Sequence, residues 1–177
     1  LRGIIPIVHS FACFLSSRPN EQIYNNATEL SKIVYVGSLA GLIPAGPGHS
    51  HQAVRDIASL SAVPGLILIE PCCELEIELL LDWSINTNKF SSYIRLVSIP
   101  FIPISDYNPN QKVDIGQGTF IKPGEYLTIV SSGPLLSNEL VLVAEKIKLN
   151  FGIDPQIIIT PWLNSIDLDW YEDKLAK

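Results

Sequence analysis

An unbroken run of four aliphatic residues, Leu66-Ile67-Leu68-Ile69, most restricts how this chain can fold. A strand with apolar side chains on both faces must be covered on both faces, which is typical of a parallel sheet between helices. The other predicted strands of this region cover 3–8, 32–37 and 92–97. The predicted helices between the strands cover 11–30, 52–60 and 74–88. This alternation predicts an α/β fold with a three-layer, mostly parallel sheet.

The later part of the chain repeats the alternation of strands and helices after a stretch of different composition. Prolines and glycines without a periodic run predict an extended linker over 101–124, with a turn at 106–110. The strands and helices predicted beyond it cover 126–131, 137–149, 155–160 and 165–175. We therefore expect a first domain over 1–100 and a partial second α/β domain over 125–177.

Composition argues against several classes of partner. Hydrophobic residues make up 47% of the 177 residues, which is enough for a packed core. The formal net charge of −6 argues against nucleic acid, since phosphate contacts need clustered Lys and Arg. No apolar run reaches the roughly 18 residues of a membrane helix, so no membrane partner is expected. Three cysteines give no disulfide framework, and the cytoplasm is the predicted location.

Two histidines lie where ligands are expected to bind. His49 and His51 fall between the strand over 32–37 and the helix over 52–60, with Ser50 as the predicted N-cap. Loops at the carboxyl ends of parallel strands form the ligand sites of open α/β sheets. Because histidine titrates near neutrality, both are candidates for proton transfer or oxyanion stabilisation. The alternative is a pair of loop histidines bonded to the backbone, and their spacing predicts no metal site.

Three further residues are candidates at the same edge. Phe11 and Phe14 lie three apart at a predicted helix start, where they form either an aromatic platform for a planar ring or part of the core. Arg95 is a single cation at the end of an apolar strand. A guanidinium in that position is suited to anchor the carboxylate or phosphate of a ligand.

Several of these stretches, in the same order along the chain, resemble the pyrimidine-binding domain of the transketolase family. The stretches are Gly3-Ile4-Ile5-Pro6, Phe11-Ala12-Cys13-Phe14-Leu15, Gly48-His49-Ser50-His51-Gln52 and Val63-Pro64-Gly65-Leu66. The family includes deoxyxylulose-phosphate synthase and, more distantly, the beta subunits of 2-oxoacid dehydrogenases. Residues 116–133 are similar to the start of the transketolase C-terminal domain.

The resemblance implies a thiamine diphosphate-dependent transferase that moves a two-carbon ketol unit between sugars or sugar phosphates. Phe14 matches the residue that stacks on the aminopyrimidine of the cofactor, and Phe11 matches another wall of that pocket. His51 matches a histidine that contacts the donor and helps with proton transfer, with His49 as a further contact. Arg95 matches a basic residue that holds the phosphate of the substrate.

The same resemblance places other catalytic parts outside the 177 residues. The family's catalytic glutamate would lie upstream of Leu1, and the domain that holds the diphosphate and magnesium is not in this chain. Because the chain contains no methionine, Leu1 is not expected to be a natural start, and a longer protein is expected. A homodimer or a separate diphosphate-domain subunit would complete the site. A small sugar or a 2-oxo acid is the expected substrate.

Two departures from the family pattern keep alternatives open. Pro47 stands where the family usually carries an acidic residue, and Leu39 stands where it usually carries a basic one. One alternative is the beta component of a 2-oxoacid dehydrogenase, with a lipoyl domain as acceptor. The other is a non-catalytic module that keeps the fold for dimerisation or regulation.

Overall fold

The computed structural model describes residues 3–101 and 113–175, which form two compact units. The first unit takes the described residues up to 70 together with 79–100, and the second takes 71–78 and the residues that follow 100. The α/β class, the mostly parallel first sheet and a second, smaller α/β unit are confirmed. The turn predicted at 106–110 lies outside the described residues.

Four parallel strands form the sheet of the first unit, in the order β1-β2-β4-β3. The strands are β1 (Ile7–Phe11), β2 (Val34–Ser38), β3 (Ile67–Ile69) and β4 (Ser92–Arg95). The apolar run that predicted a covered strand contributes buried Leu68 and Ile69, and β4 contributes buried Tyr93 and Ile94. The sheet therefore has its core where the sequence placed it, at the aliphatic strands.

The helix expected over 11–30 is two helices, α1 (Ala12–Ser17) and α2 (Asn20–Thr28). Pro19 separates them because proline has no N–H to donate and its ring clashes with the carbonyl of the preceding turn. The first strand also extends further than expected and ends at Phe11, so Phe11 is the last strand residue rather than a helical one. Phe14 lies one turn further on in α1.

The helix expected from residue 52 begins later, as α3 (Asp56–Leu60), and Ser50 is not its N-cap. Arg55 holds the N-cap position, and Ser50 lies in a turn. The reason is a pair of β-bridges from Ala53 to Ala40 and Gly41, which hold the chain before α3 extended. Helix α4 (Glu74–Asp82) continues as a π-helical turn over Trp83–Thr87, close to the predicted helix over 74–88.

The second unit contains a three-stranded sheet in the order β5-β7-β6. Its strands are β5 (Thr119–Lys122), β6 (Thr128–Ser131) and β7 (Gln156–Ile159), and its helices are α5 (Pro134–Phe151) and α6 (Leu168–Leu175). β6 and β7 are parallel and connected through α5, whereas β5 pairs antiparallel with β7. Strand β5 lies in the range predicted as linker and was not predicted as a strand. None of the helices described is long and apolar enough to cross a membrane.

Candidate functional site

The histidine loop, residues 39–55, follows β2, and its two ends are hydrogen-bonded to each other. The Ala53 N–H donates to the Gly41 carbonyl at 3.0 Å, and within the loop the His51 N–H donates to the Gly48 carbonyl at 3.0 Å. Gly48 has a φ of +82°, a left-handed conformation that a residue with a Cβ rarely adopts. These bonds fix the backbone on both sides of His51.

Phe11, Phe14 and His51 form one group, which we term the aromatic cluster. The ring centroids of Phe11 and Phe14 lie 6.0 Å apart at an interplanar angle of 41°. The imidazole of His51 lies 5.9 Å from the Phe11 ring and 5.1 Å from the Phe14 ring, in both cases edge-on. Such distances and angles are those of favourable aromatic contacts. The end of β1, the first turn of α1 and the histidine loop therefore meet at one point.

One nitrogen of His51 is engaged and the other is open. Its Nδ1 lies 3.0 Å from the hydroxyl of Ser50, a hydrogen bond that orients the ring. Within 3–101 and 113–175, Nε2 has no hydrogen-bond partner. A half-buried imidazole with one oriented and one open nitrogen is able to accept or donate a proton to a bound molecule.

A cleft of about 700 Å³ adjoins the aromatic cluster in the same unit. Phe14 and His49 both line it, so the cleft reaches one ring of the cluster and the second loop histidine. Phe11 and His51 are not among its lining residues, although both contact Phe14. The volume is in the range of small-molecule sites in proteins.

Arg18 covers part of Phe14. Its guanidinium carbon lies 4.0 Å from the centroid of the Phe14 ring, a cation–π contact. Arg18 is itself exposed and also lines the cleft. In this contact the planar face of the guanidinium lies against the Phe14 ring. The N–H groups lie in the plane of the guanidinium and remain able to donate to a ligand.

Arg95 lies in a different environment from the aromatic cluster. Its Nε donates to Asp56 at 2.8 Å, and its Nη1 donates to Glu70. The hydroxyl of Tyr93 donates to the same oxygen of Asp56 at 3.0 Å. We term Tyr93, Arg95, Asp56 and Glu70 the buried ion network, since Asp56 and Glu70 are 2% and 8% exposed. Arg95 is thus bound to two carboxylates of its own chain.

The titration behaviour of the network follows from this enclosure. Burial raises the pKa of Glu70, and the neighbouring Arg95 acts in the opposite direction without cancelling it. Burial tends to lower the pKa of Arg95, but the charges of Glu70 and Asp56 outweigh it, so that the pKa lies above its ordinary value. Burial and the Asp56 carboxylate raise the pKa of Tyr93. Arg95 therefore stays charged and paired throughout the neutral range.

The predicted site residues thus divide into two groups. Phe11, Phe14 and His51 come together, His49 joins them through the cleft, and Arg95 belongs to the buried ion network. Sequence patterns did not indicate Asp56, Glu70, Tyr93, Arg18 or Arg55 as site residues. Asp56 and Arg95 are 39 residues apart, and no local pattern in a single sequence predicts a pair so distant along the chain.

The two departures from the family pattern have different surroundings. Leu39 is 9% exposed, so its apolar side chain is buried, and its N–H donates to the Ser98 hydroxyl at 2.9 Å. Pro47 is exposed in the histidine loop. Within the part of the chain that the structure describes, no group of His, Cys, Asp and Glu residues is arranged to hold a metal ion.

Residues 1–97, more than half of the chain, match the family model described as "Transketolase, pyrimidine binding domain". The chain therefore belongs to the transketolase pyrimidine-binding domain family. An uncharacterised transketolase family protein of Sinorhizobium fredii is 31% identical over 168 residues, which cover 93% of this chain and 47% of that protein. The 1-deoxy-D-xylulose-5-phosphate synthase of Clostridium botulinum is 25% identical over 167 residues, covering 93% of this chain and 26% of that enzyme. The chain spans between about a quarter and a half of these relatives.

Solved transketolases share the fold. A split-gene transketolase, solved as an inactive beta4 tetramer, matches with a TM-score of 0.78 and 23% identity over 90% of this chain and 50% of that one. The transketolase of Leishmania mexicana matches with a TM-score of 0.79 and 20% identity over 96% of this chain and 25% of that one. At these identities the likeness establishes the fold alone. The family match over residues 1–97 implies thiamine diphosphate as the cofactor of the family.

The aromatic cluster fits the heterocyclic part of that cofactor. Phe11 is 41% exposed, and Phe14 is half-buried beside the cleft, so aromatic surface remains for a planar ring. His51 supplies a polar group at the edge of both rings.

Proposed function

We propose that this chain supplies the pyrimidine side of the active site of a thiamine diphosphate-dependent enzyme that transfers a two-carbon ketol unit between sugars or sugar phosphates. The observation that carries the proposal is the contact of Phe11, Phe14 and His51 at the end of β1, beside a cleft of ligand size. The family match over residues 1–97 supports the same cofactor.

In this proposal Phe11 and Phe14 bind the aminopyrimidine ring by stacking and by excluding water from one of its faces. When bound, the cofactor would supply a nucleophilic carbon that adds to the carbonyl of the substrate and an electron sink for the making and breaking of carbon–carbon bonds. His51, oriented by Ser50, exchanges a proton with the substrate through Nε2, and His49 contacts the part of the substrate in the cleft. General acid–base groups of this kind contribute about 100-fold or more to turnover.

A partner domain is part of the proposal. Magnesium and the diphosphate would be held by a diphosphate-binding domain, either in another part of the polypeptide or in a separate subunit. That domain could come from a second copy of the same protein or from a different gene product. The split-gene transketolase among the structural neighbours supports an arrangement of separate chains.

The direct test is a calorimetric titration of thiamine diphosphate and Mg²⁺ into the native protein that contains this chain. Phe11→Ala is expected to weaken cofactor binding about tenfold, because an aromatic contact of this type contributes on the order of 1 kcal/mol beyond the buried area. Phe90→Ala is a matched control, since Phe90 is 45% exposed but lies outside the aromatic cluster.

Three results are informative. Cofactor binding that is weakened by Phe11→Ala and not by Phe90→Ala supports the proposal, and product analysis with ketose donors and aldose acceptors then tests the ketol transfer. Cofactor binding together with turnover of a 2-oxo acid donor and a lipoyl acceptor would assign the chain to the dehydrogenase alternative. Absence of cofactor binding by the native protein would contradict catalysis and favour a non-catalytic module.

A further inference from the structure

We infer that the cleft beside the aromatic cluster is an oxyanion-binding subsite, in which Arg18 and Arg55 hold the phosphate or carboxylate of the substrate. The inference rests on the proposed function, because it assigns the ligand to the substrate of that same site. It also gives this task to residues other than Arg95, to which the family resemblance assigns it.

The cleft carries positive charge that no acidic side chain of its described lining offsets. The charged side chains that line the cleft are Arg18 and Arg55, and no aspartate or glutamate is among the described residues that line it. The chain as a whole carries a formal charge of −6. Two uncompensated guanidinium groups in one concave surface of an acidic protein create a local positive potential, which concentrates anions.

The guanidinium groups of Arg18 and Arg55 are available to a ligand. Both arginines are exposed, and in the described ranges neither forms an ion pair with a carboxylate. Arg18 is held against Phe14 by its cation–π contact at 4.0 Å. The contact restricts the side-chain conformations of Arg18, so less conformational entropy is lost when a ligand binds. A positioned guanidinium with free N–H groups is the usual partner of carboxylates and phosphates in proteins.

Gln52 adds one donor beside the two arginines. Its Nε2 donates to the Leu42 carbonyl at 3.0 Å and keeps a second N–H that can bond to an oxyanion, whereas the hydroxyls of Ser17 and Ser59 in the same cleft donate to backbone carbonyls. Phe14 also lines it, so a molecule bound here extends to the aromatic cluster. Arg95, in contrast, already donates to Asp56 and Glu70.

The test is a titration of the native protein with inorganic phosphate and, separately, with acetate at equal ionic strength, followed by NMR or calorimetry. Arg55→Gln and Arg18→Gln are each expected to weaken anion binding about tenfold, since a hydrogen bond to a charged group is worth about 1.5 kcal/mol. Lys89→Gln removes the same charge at an exposed position that does not line the cleft, and is the control.

Selective weakening by the two arginine variants supports the subsite. Tighter binding of phosphate assigns the ligand to sugar phosphates, and tighter binding of acetate assigns it to 2-oxo acids. Equal weakening by Lys89→Gln, or anion binding that neither arginine variant changes, would overturn the inference.

Kinetics separate this inference from the proposed function. In the active enzyme, Arg55→Gln should raise KM for a phosphorylated donor about tenfold while thiamine diphosphate affinity stays unchanged. Cofactor binding without this effect of Arg55 contradicts the subsite alone. Absence of cofactor binding contradicts the proposed function, and the phosphate titration then still decides whether the cleft binds anions.

Discussion

The first unit contains two sets of charged residues, the buried ion network and the arginines of the cleft, and they differ in where their charges are neutralised. Arg95 is enclosed by Asp56 and Glu70, and each carboxylate accepts a hydrogen bond from it. Arg18 and Arg55 are exposed and line a cleft without an acidic residue among its described lining. A buried charge must be neutralised within the fold, whereas an exposed charge in a concave surface is free to neutralise a ligand.

The comparison separates stability from binding. Changes in the buried ion network should lower the free energy of unfolding, because they leave a charge or hydroxyl without its partner in the interior. Changes in the aromatic cluster and cleft should alter ligand binding or turnover and leave the free energy of unfolding nearly unchanged. Each prediction below tests one side of this division.

The largest expected effect is that of Asp56→Ala. Asp56 is 2% exposed and accepts from both Arg95 and Tyr93, so its removal leaves a buried guanidinium and a buried hydroxyl without that acceptor. We expect a loss of about 3 kcal/mol in the free energy of unfolding, measured by urea denaturation. Asp154→Ala is the control: its pairs with Lys122 and Lys148 lie near the surface, where solvent screens them, so its loss should be much smaller than that of Asp56→Ala. Equal losses for the two variants would contradict the distinction.

The next effect concerns activity. His51→Ala removes the imidazole with the open Nε2, and we expect turnover of the assembled enzyme to fall about 100-fold. The free energy of unfolding should change by less than about 1 kcal/mol, because His51 is only half-buried. His9→Ala, at an exposed histidine of β1, serves as the control in the same kinetic assay. Near-normal turnover of His51→Ala would remove this residue from the mechanism.

The division explains what the sequence alone could and could not predict. The sheet of the first unit was predictable because an apolar run such as Leu66-Ile67-Leu68-Ile69 indicates a buried strand from neighbouring residues alone. The aromatic cluster was partly predictable, since Phe11 and Phe14 are three residues apart and both precede the loop with His51. Their catalytic and cofactor-binding roles remain predictions.

The surroundings of Arg95 were not predictable in the same way. The pairing of Arg95 with Glu70 joins residues 25 apart, and it depends on how β3 and β4 align in the sheet. A single sequence contains no signal for that register. Strand β5 was missed for a related reason: Thr119–Lys122 is short and follows a stretch rich in glycine and proline, and it is held by antiparallel pairing with the distant β7.

A glycine at the edge of the buried ion network gives the third prediction. A Cβ added to Gly37 in β2 would lie 2.6 Å from the Tyr93 hydroxyl and within 3 Å of its ring. Gly37→Ala should therefore displace Tyr93 from Asp56 and cost about 2 kcal/mol in the free energy of unfolding. Gly46→Ala is the control, because an added Cβ there meets no atom within 4 Å. If the two variants unfold alike in urea, the interior around Tyr93 is less tightly packed than the distances indicate.

The smallest effect is the pH dependence that Glu70 contributes. Because burial raises the pKa of Glu70 in the folded protein, the folded state binds its proton more tightly than the unfolded state does. The stabilisation from this group is thus complete below the unfolded pKa and is lost as the pH rises through the folded pKa. Glu70→Gln removes the titration, so the free energy of unfolding of the wild type minus that of the variant should decrease from pH 4 to pH 7, measured by urea denaturation. Glu29→Gln, at an exposed carboxylate, controls for the loss of one negative charge. A difference that rises with pH would mean that the attraction of Arg95, and not burial, governs this carboxyl group, and the network would then resemble a surface ion pair.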